Sequence, residues 1–201
     1  MSAPRDLVVT IGRQVGAGGL EIGRLLARKL GVPFYDRELL AVAARRSGFS
    51  ETVLEQHDEK PADNFLFAAF GAPYASSEPP LGQQVCLAQF QAVREVAAAG
   101  GCVIVGRAAD FVLADRPRVL RVFLRASPEA RIARVPELRA LPPDRARRAL
   151  RTADRRRAAF YNYFTDRKWG DAATYDLCLD TSALSPEQAV AVLLARAEAV
   201  G

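Results

Sequence analysis

Apolar positions along the chain recur at two spacings, and their alternation predicts the fold. Leu7, Val8, Val9 and Ile11 form a short, β-branched run, the pattern of a strand buried in a parallel sheet. Four glycines follow, Gly12, Gly16, Gly18 and Gly19. Leu20, Gly23, Leu26, Ala27 and Leu30 then return at spacings of three and four, with Arg24, Arg28 and Lys29 off that stripe and Gly31 as the stop. The spacing predicts a helix ending at 30. Val32 to Asp36 reads as a second strand ending in an acid. Arg37 to Arg46 is predicted helical, with Leu39, Leu40, Ala43 and Ala44 on one side and Gly48 as its break. Ser50 is placed to cap a further short helix.

Residues 58–82 fit neither period. Pro61, Pro73, Pro79, Pro80, Gly71 and Gly82 interrupt them, yet Phe65, Leu66, Phe67, Phe70 and Tyr74 make them aromatic. That mixture suits a helical insertion, bounded at about 47–85, better than a linker. Regular patterning resumes with a helix over Leu87 to Ala99 and a strand over Val103 to Val105, with Gly106 and Arg107 just past its end. A fourth strand is predicted over Arg118 to Ala126. Ser127, Pro128 and Glu129 then open a helix as cap, first residue and first-turn acid. Pro142 and Pro143 start another, running to about Phe164. Tyr175 to Ser182 is the fifth strand, and Ser185 caps the terminal helix. Alternation of this kind predicts a single α/β domain over 1–201, three layers deep, with a parallel sheet of about five strands and right-handed crossovers.

Bulk properties narrow the function. A length of 201 residues suits one sizeable core. No run of 18 apolar residues occurs, so no membrane partner is expected, and the N-terminus lacks a secretory pattern, which makes a cytoplasmic protein the expectation. Cys86, Cys102 and Cys178 are widely spaced, without a CxxC; buried free thiols are expected in place of a disulfide framework or zinc site. His57 is the one histidine and no GxSxG elbow is present, which argues against a serine–histidine triad. The net charge of +5 is unevenly spread: 14 arginines face 4 acids between Arg116 and Arg157. Arginine grips phosphate with a planar fork.

A glycine loop between a strand and a helix is an anion site, because unpaired N–H groups and the positive end of the helix dipole meet there. A dinucleotide fingerprint would need glycine at 21, where Glu21 stands. A P-loop would need lysine and a hydroxyl after Gly18, where Gly19, Leu20 and Glu21 stand. Arg107 sits where ligands collect in open parallel sheets. Arg147, Arg151, Asp154 and Arg157 share one face of their helix, a solvated face or one aimed at polyphosphate.

Three separated segments, VTIGRQVGAGGLEIGRLLARKLGVPFYDREL, VIVGRAADFVL with RVFLRASPEARIARV, and DRRRAAFYNYFTDRKW with YDLCLDTS, resemble the cytidylate kinase-like branch of the P-loop nucleoside monophosphate kinases. The resemblance implies a P-loop kinase fold with a nucleotide-binding insertion and an arginine-rich lid at about 127–165. It implies transfer of the ATP γ-phosphate, with Mg2+, to CMP, dCMP or a related small acceptor, so that nucleotides are the expected partners. Gly16, Ala17, Gly18 and Gly19 would wrap the donor phosphates. Asp36, Arg37, Arg107, Asp110, Asp154 and Arg157 would lie at the acceptor, Asp110 as the nearest substitute for an aspartate that is Ala108 here. Arg131, Arg134 and Arg151 would neutralise the phosphates in flight. Gly19 stands at the family's lysine and Glu21 at its magnesium-binding hydroxyl. Arg13 or Arg24 would supply the lost charge, and Glu21 is a candidate metal ligand. The alternative, second to the kinase, is a non-catalytic nucleotide sensor of the same fold, which explains the absent lysine simply. A nucleic-acid binder ranks last, since no such motif accompanies the basic segment.

Overall fold

The computed structural model of the chain describes residues 4–56 and 81–200. His57 and most of the expected aromatic insertion lie outside the described residues. Among the described residues five strands form one wholly parallel sheet: β1 (Val8–Arg13), β2 (Phe34–Tyr35), β3 (Cys102–Val105), β4 (Val119–Arg125) and β5 (Leu177–Asp180), in the order β2-β3-β1-β4-β5. The helices are α1 (Gly19–Leu30), α2 (Glu38–Ser47), α3 (Glu51–Gln56), α4 (Leu81–Ala98), α5 (Ala109–Val112), α6 (Pro128–Arg134), α7 (Pro136–Arg139), α8 (Pro143–Thr165) and α9 (Pro186–Glu198).

β1 is the central strand because its residues can be buried on both faces. Val9 and Ile11 pack with Ile22, Leu26 and Ala27 of α1 and Ala189, Val190 and Leu193 of α9. Val8 points the other way, into a cluster with Leu39 of α2, Leu54 of α3, and Val85, Ala92 and Val93 of α4. The result is the expected three layers. α8 joins them through its C-terminal half, where Phe160 and Tyr161 pack on Cys86, Phe90 and Ala108. Its N-terminal half, through Ala146 and Leu150, packs on Leu138 of α7 and on Val15 in the glycine loop.

Several expectations shift in detail. α4 begins at Leu81, six residues before the expected start; Gly82 lies in its first turn, where a glycine does not break the hydrogen-bond ladder. β2 shrinks to two residues. α5 and α7 are four-residue helices too short to leave a periodic signal. Cys86 and Cys102 are buried, but Cys178 is exposed, a correction that follows from its place on the edge strand β5, where alternate side chains face outward. Burial pushes the Cys86 thiol up to about 12 and the Cys102 thiol up to about 11, so neither ionises near neutrality and neither is a nucleophile.

Candidate functional site

The site is built where β1 and β3 end. β1 runs into the glycine loop, whose conformation is held from several sides. Gln14 N–H donates to Leu124 O at 3.0 Å, and its side-chain Oε1 accepts Ala126 N–H at 3.1 Å. Ala17, fully buried, accepts the Thr181 hydroxyl at its carbonyl, 3.0 Å away. Gly16 and Gly18 have φ of 76° and 82°, and Gly18 is the left-handed cap from which α1 starts. The first turn of α1 therefore presents N–H groups that lack acceptors within the helix.

Gly19 explains itself through its neighbour. A Cβ at Gly19 would lie 2.8 Å from Arg13 Cγ and 3.1 Å from Arg13 Cβ. The stem of Arg13 thus occupies the space in which a side chain at 19 would begin. A side chain at 19 therefore cannot coexist with Arg13 in its present position unless one of them shifts.

At the end of β3 the chain turns through three consecutive left-handed residues, Gly106, Arg107 and Ala108, with φ of 81°, 55° and 49°. Two of them carry side chains, and each such residue costs roughly 1–2 kcal/mol. The turn drives Arg107 into the interior, where it is 2 % exposed. Its Nη1 donates to Asp36 Oδ1 at 3.3 Å and to Val105 O at 3.4 Å. Asp36 N–H in turn donates to Glu38 Oε2 at 3.0 Å. Burial raises the Glu38 carboxyl, but the N–H groups of Glu38 and Asp36 and the charges of Arg24 and Arg107 outweigh it, leaving Glu38 below the usual carboxylate range.

Arg13, Arg107 and Arg157 line one cavity of about 20 Å³, together with Gly12, Asp110 and the rings of Phe160, Tyr161, Trp169 and Tyr175. That volume suits a single water. Asp110 is buried and accepts the Tyr161 hydroxyl at 2.6 Å. Burial raises the Asp110 carboxyl above its ordinary range against the pull of that hydrogen bond, and burial with the Asp110 charge raises the Tyr161 phenol. Arg157 Nη1 donates to Arg13 O at 3.2 Å. Asp154 bonds Val15 N–H at 3.2 Å and Arg131 Nη2 at 2.6 Å.

The structure thus brings Arg13, Arg107, Asp110 and Arg157 to one cavity, with Asp36 paired to Arg107 and the glycine loop beside it. Other expected residues lie apart from it. Arg37 is exposed at the start of α2, and Glu21 is exposed in the first turn of α1. Arg151 is exposed on α8. Arg24 lies over the Phe34 ring, 5.4 Å from its centroid. Arg134 binds the Thr181 hydroxyl and the carbonyls of Thr181 and Leu184, and Arg131 binds the loop carbonyl of Val15. Tyr161 was missed by sequence reasoning. Its signal was available: Asp154, Arg157 and Tyr161 follow one another at three and four residues, one helical face. Trp169 comes from a loop with no periodic signal, and Tyr175, expected to open the fifth strand, lies two residues before β5.

Among the described residues no group of three or more His, Cys, Asp or Glu side chains could hold a metal ion, and no helix is long and apolar enough to cross a membrane.

A model of the cytidylate kinase-like family matches residues 8–183 of the chain. A curated protein named cytidylate kinase, from Methanopyrus kandleri, is 26% identical over 199 residues, covering 94% of this chain and 92% of that protein. The crystal structure of an uncharacterized protein from Eubacterium ventriosum is similar with a TM-score of 0.70 at 24% identity, covering 96% of this chain and 98% of the other. A shikimate kinase structure from Bacteroides thetaiotaomicron is similar with a TM-score of 0.55 at 19% identity, over 96% and 98% of the two chains. At these identities the two structures speak for the fold alone.

Proposed function

The chain belongs to the cytidylate kinase-like family and has the P-loop kinase fold, and from that premise we propose that it is a nucleoside monophosphate kinase in which Arg13 replaces the loop lysine. The observation that carries the reading is the convergence of Arg13, Arg107 and Arg157 on one cavity beside the glycine loop. Phosphoryl transfer asks mainly for positioning and charge neutralisation, and three guanidinium groups at a sheet edge supply both.

In this reading the loop from Gly16 to Gly19 and the first turn of α1 hold the β- and γ-phosphates of ATP with backbone N–H groups. An oxygen of the acceptor monophosphate attacks the γ-phosphorus. The new P–O bond forms as the bond to the bridging oxygen breaks, and ADP leaves. Arg107 and Arg157 hold the acceptor phosphate and Arg13 meets the transferring group. No general base is needed, because the acceptor oxygen is already anionic. The carboxylates agree with that: Asp36 is engaged by Arg107, Asp110 by Tyr161, and Asp154 by Arg131 and Val15. Magnesium, when bound with ATP, supplies further charge neutralisation at the phosphates; Glu21 is the carboxylate at the loop that would hold it, and one carboxylate with phosphates and water is an ordinary magnesium ligand set.

A nucleotide is far larger than a 20 Å³ cavity. In this reading the acceptor enters as α8 withdraws together with the rest of a lid at about 127–165, which closes again to exclude water from the transfer. CMP and dCMP are the first acceptors to try, by family. The test is incubation of the purified protein with ATP and magnesium against a panel of nucleoside monophosphates and small hydroxyl acceptors, with chromatographic detection of product. Formation of CDP or dCDP supports the reading. ATP binding with no product from any acceptor would overturn it in favour of a non-catalytic nucleotide sensor.

A further inference from the structure

The main chain of Val15, in the middle of the glycine loop, is gripped on either side of its Cα by two side chains from outside the loop. Its N–H donates to Asp154 Oδ1 at 3.2 Å, and its carbonyl accepts Arg131 Nε at 2.6 Å. The two gripping residues also bind each other, Arg131 Nη2 to Asp154 Oδ2 at 2.6 Å. Their side chains are only 6% and 17% exposed. The loop fits against this pair so closely that a Cβ at Gly16 would lie 2.6 Å from Arg131 O. One turn further along α8, Arg157 donates to Arg13 O. The Asp-x-x-Arg face of α8 thus reads two main-chain groups of the same loop, at Arg13 and Val15.

We propose that the Asp154–Arg131 pair is a positioning device for the donor loop, and that it sets donor-phosphate affinity in place of the acceptor contact that the family resemblance implied for Asp154. The inference rests on the kinase reading for its catalytic consequence, though its structural part does not. Charge-assisted hydrogen bonds to the two peptide groups that flank the Val15 Cα, the N–H of one and the carbonyl of the other, hold both planes and so the backbone rotation between them in a single arrangement. Orientation of Val15 decides where the next amides, those of Gly16 to Gly19, point. Neither member of the pair is among the residues lining the cavity, so the acceptor should not sense its loss directly. It also couples the two halves of the site: withdrawal of α8 would carry Asp154 away from the loop and loosen the donor amides at the same moment.

Asp154→Asn keeps the size of the side chain but leaves the Arg131 guanidinium without its charge partner. Arg131→Lys keeps the charge but loses the bond from Nε to Val15 O. Either should weaken ATP binding about tenfold or more, as expected for a lost charge-assisted bond, while the KM of the acceptor moves less than about twofold. Hydrogen exchange read by mass spectrometry on the ligand-free protein should show faster exchange in the peptide containing Val15 in both variants, with the α1 and β3 peptides unchanged. A raised acceptor KM with unaltered ATP affinity would overturn the proposal and return Asp154 to the acceptor. Unchanged exchange at Val15 would overturn it as well. Should Asp154→Asn fail to fold, Arg131→Lys carries the same two readouts. If the wild type showed no turnover with any acceptor, the kinase reading would fail, while ATP affinity and Val15 exchange would still decide the role of the pair.

Discussion

Replacing Gly19 by alanine adds one methyl group and should separate activity from stability. The new Cβ would lie 2.8 Å from Arg13 Cγ and 3.1 Å from Arg13 Cβ. To reach ordinary contact near 3.4 Å, Cγ must retreat by roughly 0.6 Å. The collision is with the stem of the arginine and not its tip: rotation about χ1 moves Cγ away and swings the guanidinium much further, while the 3.1 Å approach to Cβ, which that rotation leaves in place, is relieved by a main-chain shift of a few tenths of an ångström. An off-rotamer side chain costs about 0.5–1.5 kcal/mol. Alanine in a helix gains up to about 1 kcal/mol over glycine. The two nearly cancel, and the urea midpoint should move by less than about 1 kcal/mol of stability in either direction. The catalytic effect should be much larger, since displacing a positioned group by about 1 Å can cost about 100-fold in rate. Turnover is measured by a coupled ADP-release assay at saturating ATP and acceptor, with urea unfolding on the same samples. A stable Gly19→Ala protein with wild-type turnover would refute the idea that Arg13, in this position over the helix start, is the working cation.

Gly16→Ala meets backbone and not a movable side chain, 2.6 Å from Arg131 O, at a φ of 76°. It should cost roughly 2–4 kcal/mol from strain and overpacking together, read as a lowered urea midpoint. Arg107→Ala and Arg157→Ala should each lower turnover by about tenfold or more, as loss of a phosphate-neutralising group does, with circular dichroism unchanged; full activity in both would break the site assignment. Tyr161→Phe removes the 2.6 Å bond to buried Asp110 and should cost about 1.5–3 kcal/mol. The Asp110 carboxyl is raised in the fold, so its contribution to stability is full below the unfolded value of 3.8 and is lost as pH rises through the folded value. The Tyr161 bond holds that folded value down, so in Tyr161→Phe the loss should extend to higher pH in urea titrations run across the acid range.

The fold was legible because each of its five strands carries an apolar run and each long helix a 3.6-residue stripe. Where the structure departs from expectation the signal was physically weak. α5 and α7 are single turns, and α4 starts six residues early because its first turn contains Gly82 after two prolines, a combination that reads as loop. The candidate site was legible in its residues but not in their partners. Arg107 stands out from its place after β3, yet nothing in the spacing shows that two non-glycine residues would adopt left-handed backbone to turn it inward. Asp154 and Arg157 are visible as a pair one turn apart, but spacing cannot say that they face the main chain of a loop some 140 positions away in sequence. The contact between Arg13 and Gly19 is equally hidden, since it depends on how tightly the loop returns over the end of β1.

The most direct measurement compares wild type, Arg13→Gly and the double variant Arg13→Gly/Gly19→Lys for CDP formation from CMP and magnesium–ATP, followed by phosphorus NMR. The account predicts CDP and ADP signals with the wild type and a loss of about 100-fold with Arg13→Gly. It also predicts a substantial recovery in the double variant, where the cation returns to position 19 and the stem that blocked it is gone. Undiminished turnover in Arg13→Gly, or ATP left intact by the wild type in the presence of every monophosphate, would contradict it.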